Sequence, residues 1–446
     1  MGGVLKLAES LWNGEIDTYT YHPMSPPFAM EQLGEGIWFH KEFANTVIAE
    51  TNDGLIIVDP GSFRNGQLKF DAVRSVTSQR LNTAIFTHGH VDHCFGISFY
   101  EGEAKSKGWS MPRVIAHEAM PARFDRYREM GGYNGIINSR QFQGGAREVN
   151  FPVDFHYPDT LYQNRLAINV GGVEVSLRHA CGETDDHTWV FFPDKRVLAT
   201  GDLFLWCMPN CGNPQKVQRY CKAWAAALRE MAGLEPEILA PGHGWPIVGS
   251  DRVQEALNET ATLLESLHDQ TINLMNKGAS LDTIIHTVRV PDGLLQRPYL
   301  HPMYDEPEFI VRNIWRLYGG WYDGTPSHLK PAPEEAQAME LARLAGGADR
   351  LAARAEELAA KGDFRLACHL ADWACLAAPG NPEVSRAVGQ IYASRAQSET
   401  STMVMGIFLA RAREMEGREA EKDMPGGEVV IKVLETQEER ARKVQK

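Results

Sequence analysis

Residues 86–96 read FTHGHVDHCFG. Three histidines and an aspartate fall within the six positions His88, Gly89, His90, Val91, Asp92 and His93, directly behind the apolar run AIFT. Neutral imidazole nitrogens and a carboxylate oxygen together suit zinc, and also manganese or iron. Four donors so close in sequence do not wrap easily around one tetrahedral ion, so two adjacent ions are expected. The same arrangement recurs further along. VSLRH ends at His179, RVLATGD at Asp202 and EILAPGH at His243. Each time a strand-like run delivers a polar group at its C-terminal end, the edge where ligand sites form in layered α/β folds.

A ligand set follows. One ion takes His88, His90 and His179; the other takes Asp92, His93 and His243; Asp202 gives one oxygen to each. Two ions about 3.5–4 Å apart would share a bridging hydroxide, active at neutral pH, and clamp an ester for hydrolysis. Asp92 and Asp202 are the expected catalytic carboxylates, fixing the pair electrostatically.

Working outward, residues 36–62 read as a β-meander, with NTVIAE and LIIVD joined by the turn signal NDG. Strand-like and helical runs then alternate to about residue 270, as in a layered α/β domain. Val253, Leu257, Leu264, Leu267 and Met275 follow a helical period. The proline-rich stretch 290–308 has no period, and a linker or connecting helix is expected over 271–308. Residues 309–416 are helical in pattern. GDFRLACHLADWACLAAPGNP in that region is similar to a tetratricopeptide-like hairpin, and Trp315, Leu317, Trp321, Leu370 and Trp373 are expected in its core. Residues 417–446 form a charged tail.

The totals bound the partners. The chain has 446 residues, enough for two or three domains, and a net charge of −13. That balance argues against a nucleic-acid or anionic-membrane partner. Seven cysteines show no disulfide spacing, no apolar run is long enough to span a membrane, and the N-terminus has no signal-peptide pattern. A cytoplasmic location is expected.

THGHVDH, HACGET, LATGD and APGHG, in this order and spacing, resemble the metallo-β-lactamase superfamily over roughly residues 30–270. The resemblance implies an αββα sandwich over residues 1–270 and the ligand set above. It also implies that Asp59 of VDPG orients the metal loop. Residues 270–415, above all GGWYDGTPSHLKP, are similar to the dimerisation domain of the alkyl sulfatases, which implies a homodimer. Those enzymes carry glutamates where this chain has His179 and Asp202, and an arginine five residues after an asparagine. Here Asn210 is followed by Gln215, with Lys216 and Arg219 nearby. The expected activity is hydrolysis of a small-molecule sulfate ester by two zinc ions. Alternatives are a carboxylic ester, lactone or thioester hydrolase, an iron-dependent persulfide dioxygenase, and a non-catalytic assembly protein. Candidate substrate-binding residues are His187, Asn210, Lys216 and Arg219, with Tyr133 and Asn134 in a possible lid, 129–142. Trp206 and Met208 are candidates for an apolar wall or for core.

Overall fold

The computed structural model describes residues 3–62, 64–142 and 151–417. Two mixed sheets face each other. The first has seven strands in spatial and chain order: β1 (Ala29–Gly34), β2 (Ile37–Lys41), β3 (Thr46–Thr51), β4 (Gly54–Val58), β5 (Leu81–Ile85), β6 (Arg113–His117) and β7 (Thr160–Tyr162). β1 to β4 pair antiparallel as the meander, and β4 to β7 run parallel. The second sheet holds β8 (Arg165–Val170), β9 (Val173–His179), β10 (Thr188–Phe192), β11 (Val197–Leu205), β12 (Ile238–His243) and β13 (Ile247–Val248). Only β11 and β12 pair parallel there.

The period of two along β4 explains the layering. Ile56 and Val58 face the second sheet and pack with Leu177, Val190 and Leu198. Leu55 and Ile57 point the other way, into a separate apolar cluster beneath the outer helices. Of the helices before β7, α1 (Val4–Trp12), α2 (Gly66–Val76), α3 (Val91–Cys94), α4 (Ile97–Lys107), α5 (Met120–Glu129) and α6 (Gly131–Gln141), the second cluster takes Val73 from α2, Ile97 and Tyr100 from α4, and Phe124 from α5. On the far side, α7 (Cys221–Ala232) and α8 (Ser250–Asn276) bury Trp224, Leu228, Val253 and Leu257. The result is the αββα sandwich.

The connecting segment is more than a tether. It contains α9 (Leu281–Thr287) and leads into α10 (Pro307–Gly319). Ile284, Val288, Tyr299, Leu300, Ile310 and Ile314 all join the apolar cluster between the sheets and α8. Of the linker or connecting helix expected over 271–308, α9 is such a helix, and the rest packs into the core instead of running free. Its lack of period reflects single anchoring residues instead of a continuous face. α11 (Pro326–Leu329), α12 (Glu334–Ala345), α13 (Ala348–Ala360), α14 (Phe364–Ala377), α15 (Pro382–Gln397) and α16 (Thr402–Met415) follow. Their core is rich in alanine: Ala352, Ala355, Ala367, Ala371 and Ala374 let the helices approach closely. Asp363, Asn381 and Ser401 cap α14, α15 and α16 by accepting from backbone N–H groups. Leu370 and Trp373 pack against this core, as expected. Trp315 instead packs against the sandwich cluster, and Leu317 and Trp321 are exposed. The buried stripe of α10 is Ile310, Val311 and Ile314, and Trp321 lies past the helix end. The charged tail expected over 417–446 lies, past Gly417, outside the described residues. All seven cysteines are free. No described helix is long and apolar enough to cross a membrane.

Where the sandwich meets the helices, Glu306 is mostly buried. Burial first, then the charges of Glu399 and Glu308, push its carboxyl up to about 7 from 4.5. An acid with a raised folded-state pKa holds its proton longer when folded, so stability falls as pH rises between those two values. Glu306→Gln is expected to raise stability at pH 8 by on the order of 1–3 kcal/mol and to leave it unchanged at pH 4.5. Urea melts at the two pH values check this; equal gains at both would contradict it.

Candidate metal centre

The site lies at the C-terminal ends of β4, β5, β11 and β12. His88 follows β5 by three residues, and the single turn α3 presents Asp92 and His93. Asp202 lies within β11 and His243 ends β12. Two donor groups result. His88, His90, Glu183 and Asp202 converge in one; Asp92, His93 and His243 in the other. Asp202 reaches both: its Oδ2 is 3.8 Å from His88 Nε2 and 3.3 Å from His243 Nε2, and its Oδ1 is 3.3 Å from His93 Nε2. Asp92 Oδ2 stands 3.5 Å from His93 Nε2 and 3.6 Å from His243 Nε2.

Neighbouring groups fix the ring orientations. Asp59, with the positive φ of 57° that aspartate tolerates, accepts from Thr87 N at 2.8 Å and from Thr87 Oγ1 at 2.7 Å. Its Oδ2 also receives His93 Nδ1 at 2.8 Å. Since the Thr87 hydroxyl donates to Asp59, it accepts from His88 Nδ1 at 2.9 Å. His243 Nδ1 donates to the Phe43 carbonyl. In each ring Nδ1 carries the proton, and the Nε2 lone pair is aimed inward, the arrangement a metal ligand needs. Asp59→Asn is expected to weaken metal affinity about 10–100-fold while the fold persists, read by competition with a chelator. Unchanged affinity would contradict the orienting role.

His179 does not join the site. It ends β9 paired with Thr188, stacks on His117 with ring centroids 3.6 Å apart, and donates from Nδ1 to the His187 carbonyl at 3.0 Å. The turn after β9 carries the chain onward, and Glu183, four residues later, arrives in its place. Glu183 Oε2 lies 3.9 Å from His88 Nε2 and 3.8 Å from His90 Nδ1. The glutamate expected at position 179 from the alkyl sulfatase resemblance is supplied by the E of HACGET, Glu183. Spacing from the strand end favoured the histidine; the following carboxylate was the signal for the alternative.

His187 is likewise buried behind the site. It stacks on His88 at 4.6 Å and its Nε2 accepts from Asp202 N at 3.1 Å, so it supports the backbone of Asp202 instead of meeting substrate. Burial, which outweighs the nearby carboxylates, lowers its pKa to about 4. Arg219 is buried against Glu183, with Nη1 at 2.5 Å from Oε1, and it also donates to the Asn210 carbonyl. Asn210 Nδ2 donates to the same Glu183 oxygen at 2.5 Å. These two residues hold the carboxylate and are not free for substrate. Lys216 is different: its Nζ donates to Asn138 Oδ1 at 3.2 Å, and its charge lies near Glu183 and Asp92. Burial, then Arg219, lowers its pKa to about 8. The expected lid is the helix α6. Asn134 on it is buried, whereas Tyr133 is 52% exposed, too open to line a pocket. Trp206 and Met208 are fully buried in the sandwich core.

Sequence reasoning missed the braces. Asp186 Oδ2 accepts from Gly89 N at 2.9 Å and its other oxygen pairs with Arg123 Nε at 2.9 Å, pinning the HGH turn. Asn45 Nδ2 donates to the carbonyls of Pro241 and Gly244 at 2.9 and 3.0 Å, clamping the turn that bears His243.

The residues fit metal ions. Glu183 Oε2, Asp202 Oδ1 and His93 Nε2 are buried with no hydrogen-bond partner. Buried polar atoms left without partners are costly, and here they converge on one space. Burial and the charge of Asp202 push Glu183 upward, while Asp202, despite burial, is held well below the usual range by His243 and His93. A shared cation resolves both conflicts.

Residues 41–243 match the metallo-beta-lactamase superfamily and residues 280–418 match alkyl sulfatase dimerisation. The chain is thus similar to the metallo-β-lactamase superfamily over its sandwich and to the alkyl sulfatases over its helical region. It is 28% identical over 347 residues to a linear primary-alkylsulfatase of Pseudomonas sp., covering 73% of this chain and 65% of that one. It is 28% identical over 365 residues to the alkyl/aryl-sulfatase BDS1 of Saccharomyces cerevisiae, covering 76% and 56%. The solved sec-alkylsulfatase Pisa1 from Pseudomonas sp. superposes with a TM-score of 0.76 at 21% identity, over 87% of this chain and 65% of that one. The chain thus spans somewhat less than two thirds of these relatives' length.

Proposed function

We propose that this chain is a binuclear metal-dependent hydrolase acting on a sulfate ester of an organic alcohol. The carrying observation is the meeting of two donor groups at Asp202. His88, His90 and Glu183 would hold one ion, and Asp92, His93 and His243 the other, with Asp202 between them. Nitrogen and oxygen donors without thiolate suit zinc, with manganese or iron also accommodated. The ions would supply Lewis acidity toward an ester oxygen and lower the pKa of water toward neutrality. The protein's own groups do the rest. Asp59 and Thr87 hold the imidazole lone pairs inward. Asn210 and Arg219 fix Glu183. Lys216 offers the cation for the anionic end of the substrate. The sulfate class is supported by the alkylsulfatase relatives.

Zinc-loaded protein is expected to release sulfate from hexyl sulfate, leaving hexanol, and to act more slowly on a lactone and a thioester. Lys216→Ala is expected to raise KM for hexyl sulfate about 10–100-fold, as loss of a charge-assisted contact would. Turnover of the thioester or lactone with none of hexyl sulfate would reject the sulfatase reading.

The homodimer is proposed to form on the helical region, where Trp321 and Leu344 are 72% and 78% exposed and Leu329 and Met339 lie open nearby in sequence. Trp321→Glu combined with Leu344→Glu is expected to yield a monomer by light scattering; an unaltered dimer would place the interface elsewhere.

A further inference from the structure

The helical region also touches the site. α16 lies across the end of α6 with Gly406 against its carbonyls. A Cβ at position 406 would stand 1.9 Å from the Gln141 oxygen and 3.1 Å from the Arg140 oxygen. That is backbone on backbone, a contact only glycine permits. α16 is itself anchored beside the site. Thr402 donates from N and Oγ1 to the Met303 carbonyl at 2.8 and 3.2 Å, and Ser401 Oγ donates to the Tyr304 carbonyl at 2.6 Å.

On its other side, α6 is tied to the loop after β11. Asn138 Oδ1 receives Lys216 Nζ, Arg140 Nη1 donates to Gln215 Oε1 at 3.1 Å, and Gln141 Oε1 accepts from Asn213 Nδ2 at 3.1 Å. The Ile137 carbonyl accepts from Gln215 Nε2 at 3.3 Å, and Gln141 Nε2 donates to Tyr304 Oη at 2.5 Å. The same loop carries Asn210 and Arg219, which grip Glu183. A packing contact alone would leave α6 free to present any polar surface. Here five hydrogen bonds from its last turns go to the loop of the anion-binding lysine and to the buried tyrosine beside it.

We infer that α16 is a positioning element for substrate recognition: Gly406 seats α6, and α6, through Asn138, sets where Lys216 stands. The inference rests on the reading of Lys216 as the anion contact. The helical region would then serve the active site as well as subunit pairing. Gly406 and Asn138 act through Lys216 and are positioning residues.

The test uses the full zinc-loaded chain with Gly406→Val and Asn138→Ala. Three quantities are measured: zinc per chain, kcat and KM for hexyl sulfate, and amide hydrogen exchange. Gly406→Val is expected to keep its zinc, to raise KM about tenfold with kcat within about threefold, and to speed exchange in residues 131–141 and 213–216. Asn138→Ala is expected to raise KM similarly, without disturbing α16, and decides the matter if the valine variant does not fold. Exchange unchanged in those residues of a folded Gly406→Val, or an unchanged KM in Asn138→Ala, would overturn the inference. If the wild-type chain does not turn over hexyl sulfate, the sulfatase reading fails, and the exchange measurement still decides whether α16 seats α6.

Discussion

Glu183→Gln is expected to cost one of two zinc ions and to lower kcat/KM about a thousandfold or more, while His179→Ala changes kcat/KM by less than about tenfold. Glu183 Oε1 is occupied by Arg219 and Asn210, and Oε2 faces His88 and His90 without a hydrogen bond. Glutamine keeps its carbonyl oxygen as acceptor for Arg219 and Asn210 but turns its NH2, which has no free lone pair for a cation, toward the histidines. Alanine is the harsher change. It leaves the buried Arg219 guanidinium with the Asn210 carbonyl alone, a loss of about 3–5 kcal/mol when one partner of a buried pair is removed. The glutamine variant therefore separates metal binding from stability. His179 spends its Nδ1 proton on a backbone carbonyl and its ring face on His117, so its removal touches the second sheet and not the ions. Metal analysis and kinetics of the two variants decide the assignment; zinc lost from His179→Ala and retained by Glu183→Gln would reverse it.

Gly242→Val is expected to abolish activity and to lower stability by roughly 1–3 kcal/mol through overpacking. A Cβ at 242 would lie 2.1 Å from Asp202 Oδ1 and 2.6 Å from the Gly201 carbonyl carbon. β11 and β12 pair in parallel here, β11 buried throughout and β12 buried past Ile238, so neither strand can retreat without opening the core. The clash is relieved most easily by turning Asp202 away, which breaks its approach to His93 and His243. Gly102→Ala is the control: it sits exposed in α4 with nothing within 4 Å of its Cβ, and a small gain of about 0.5–1 kcal/mol is expected. Circular dichroism melts and zinc content distinguish the two. Full activity in Gly242→Val would mean that Asp202 does not need its observed position.

Most of the sandwich was legible because its strands announce themselves twice, by apolar runs and by the polar residue each delivers. The period along Leu55 to Val58 and the histidine run behind β5 both express one fact: one face of a strand is buried, and its C-terminal end opens at a shared edge. What was not legible depends on how turns close. His179 and Glu183 flank one short loop, and nothing in HACGE says which side chain the loop aims inward. His187 reads as a substrate contact from its place after GETDD but is turned behind His88 by its bond from the Asp202 amide. The packing of the linker or connecting helix over 271–308 is not legible because Ile284, Tyr299 and Leu300 anchor it singly, without a repeat. The seating of α6 by α16 joins residues more than 260 positions apart, through a glycine with no side chain to signal it.

The most direct test of the central claim is an anomalous difference map at the zinc edge from crystals of the zinc-loaded chain. The account predicts two peaks, about 3.5–4 Å apart, on either side of Asp202, with Glu183 and not His179 against the one beside His88 and His90. A single peak, no peak, or a peak coordinated by His179 would contradict it.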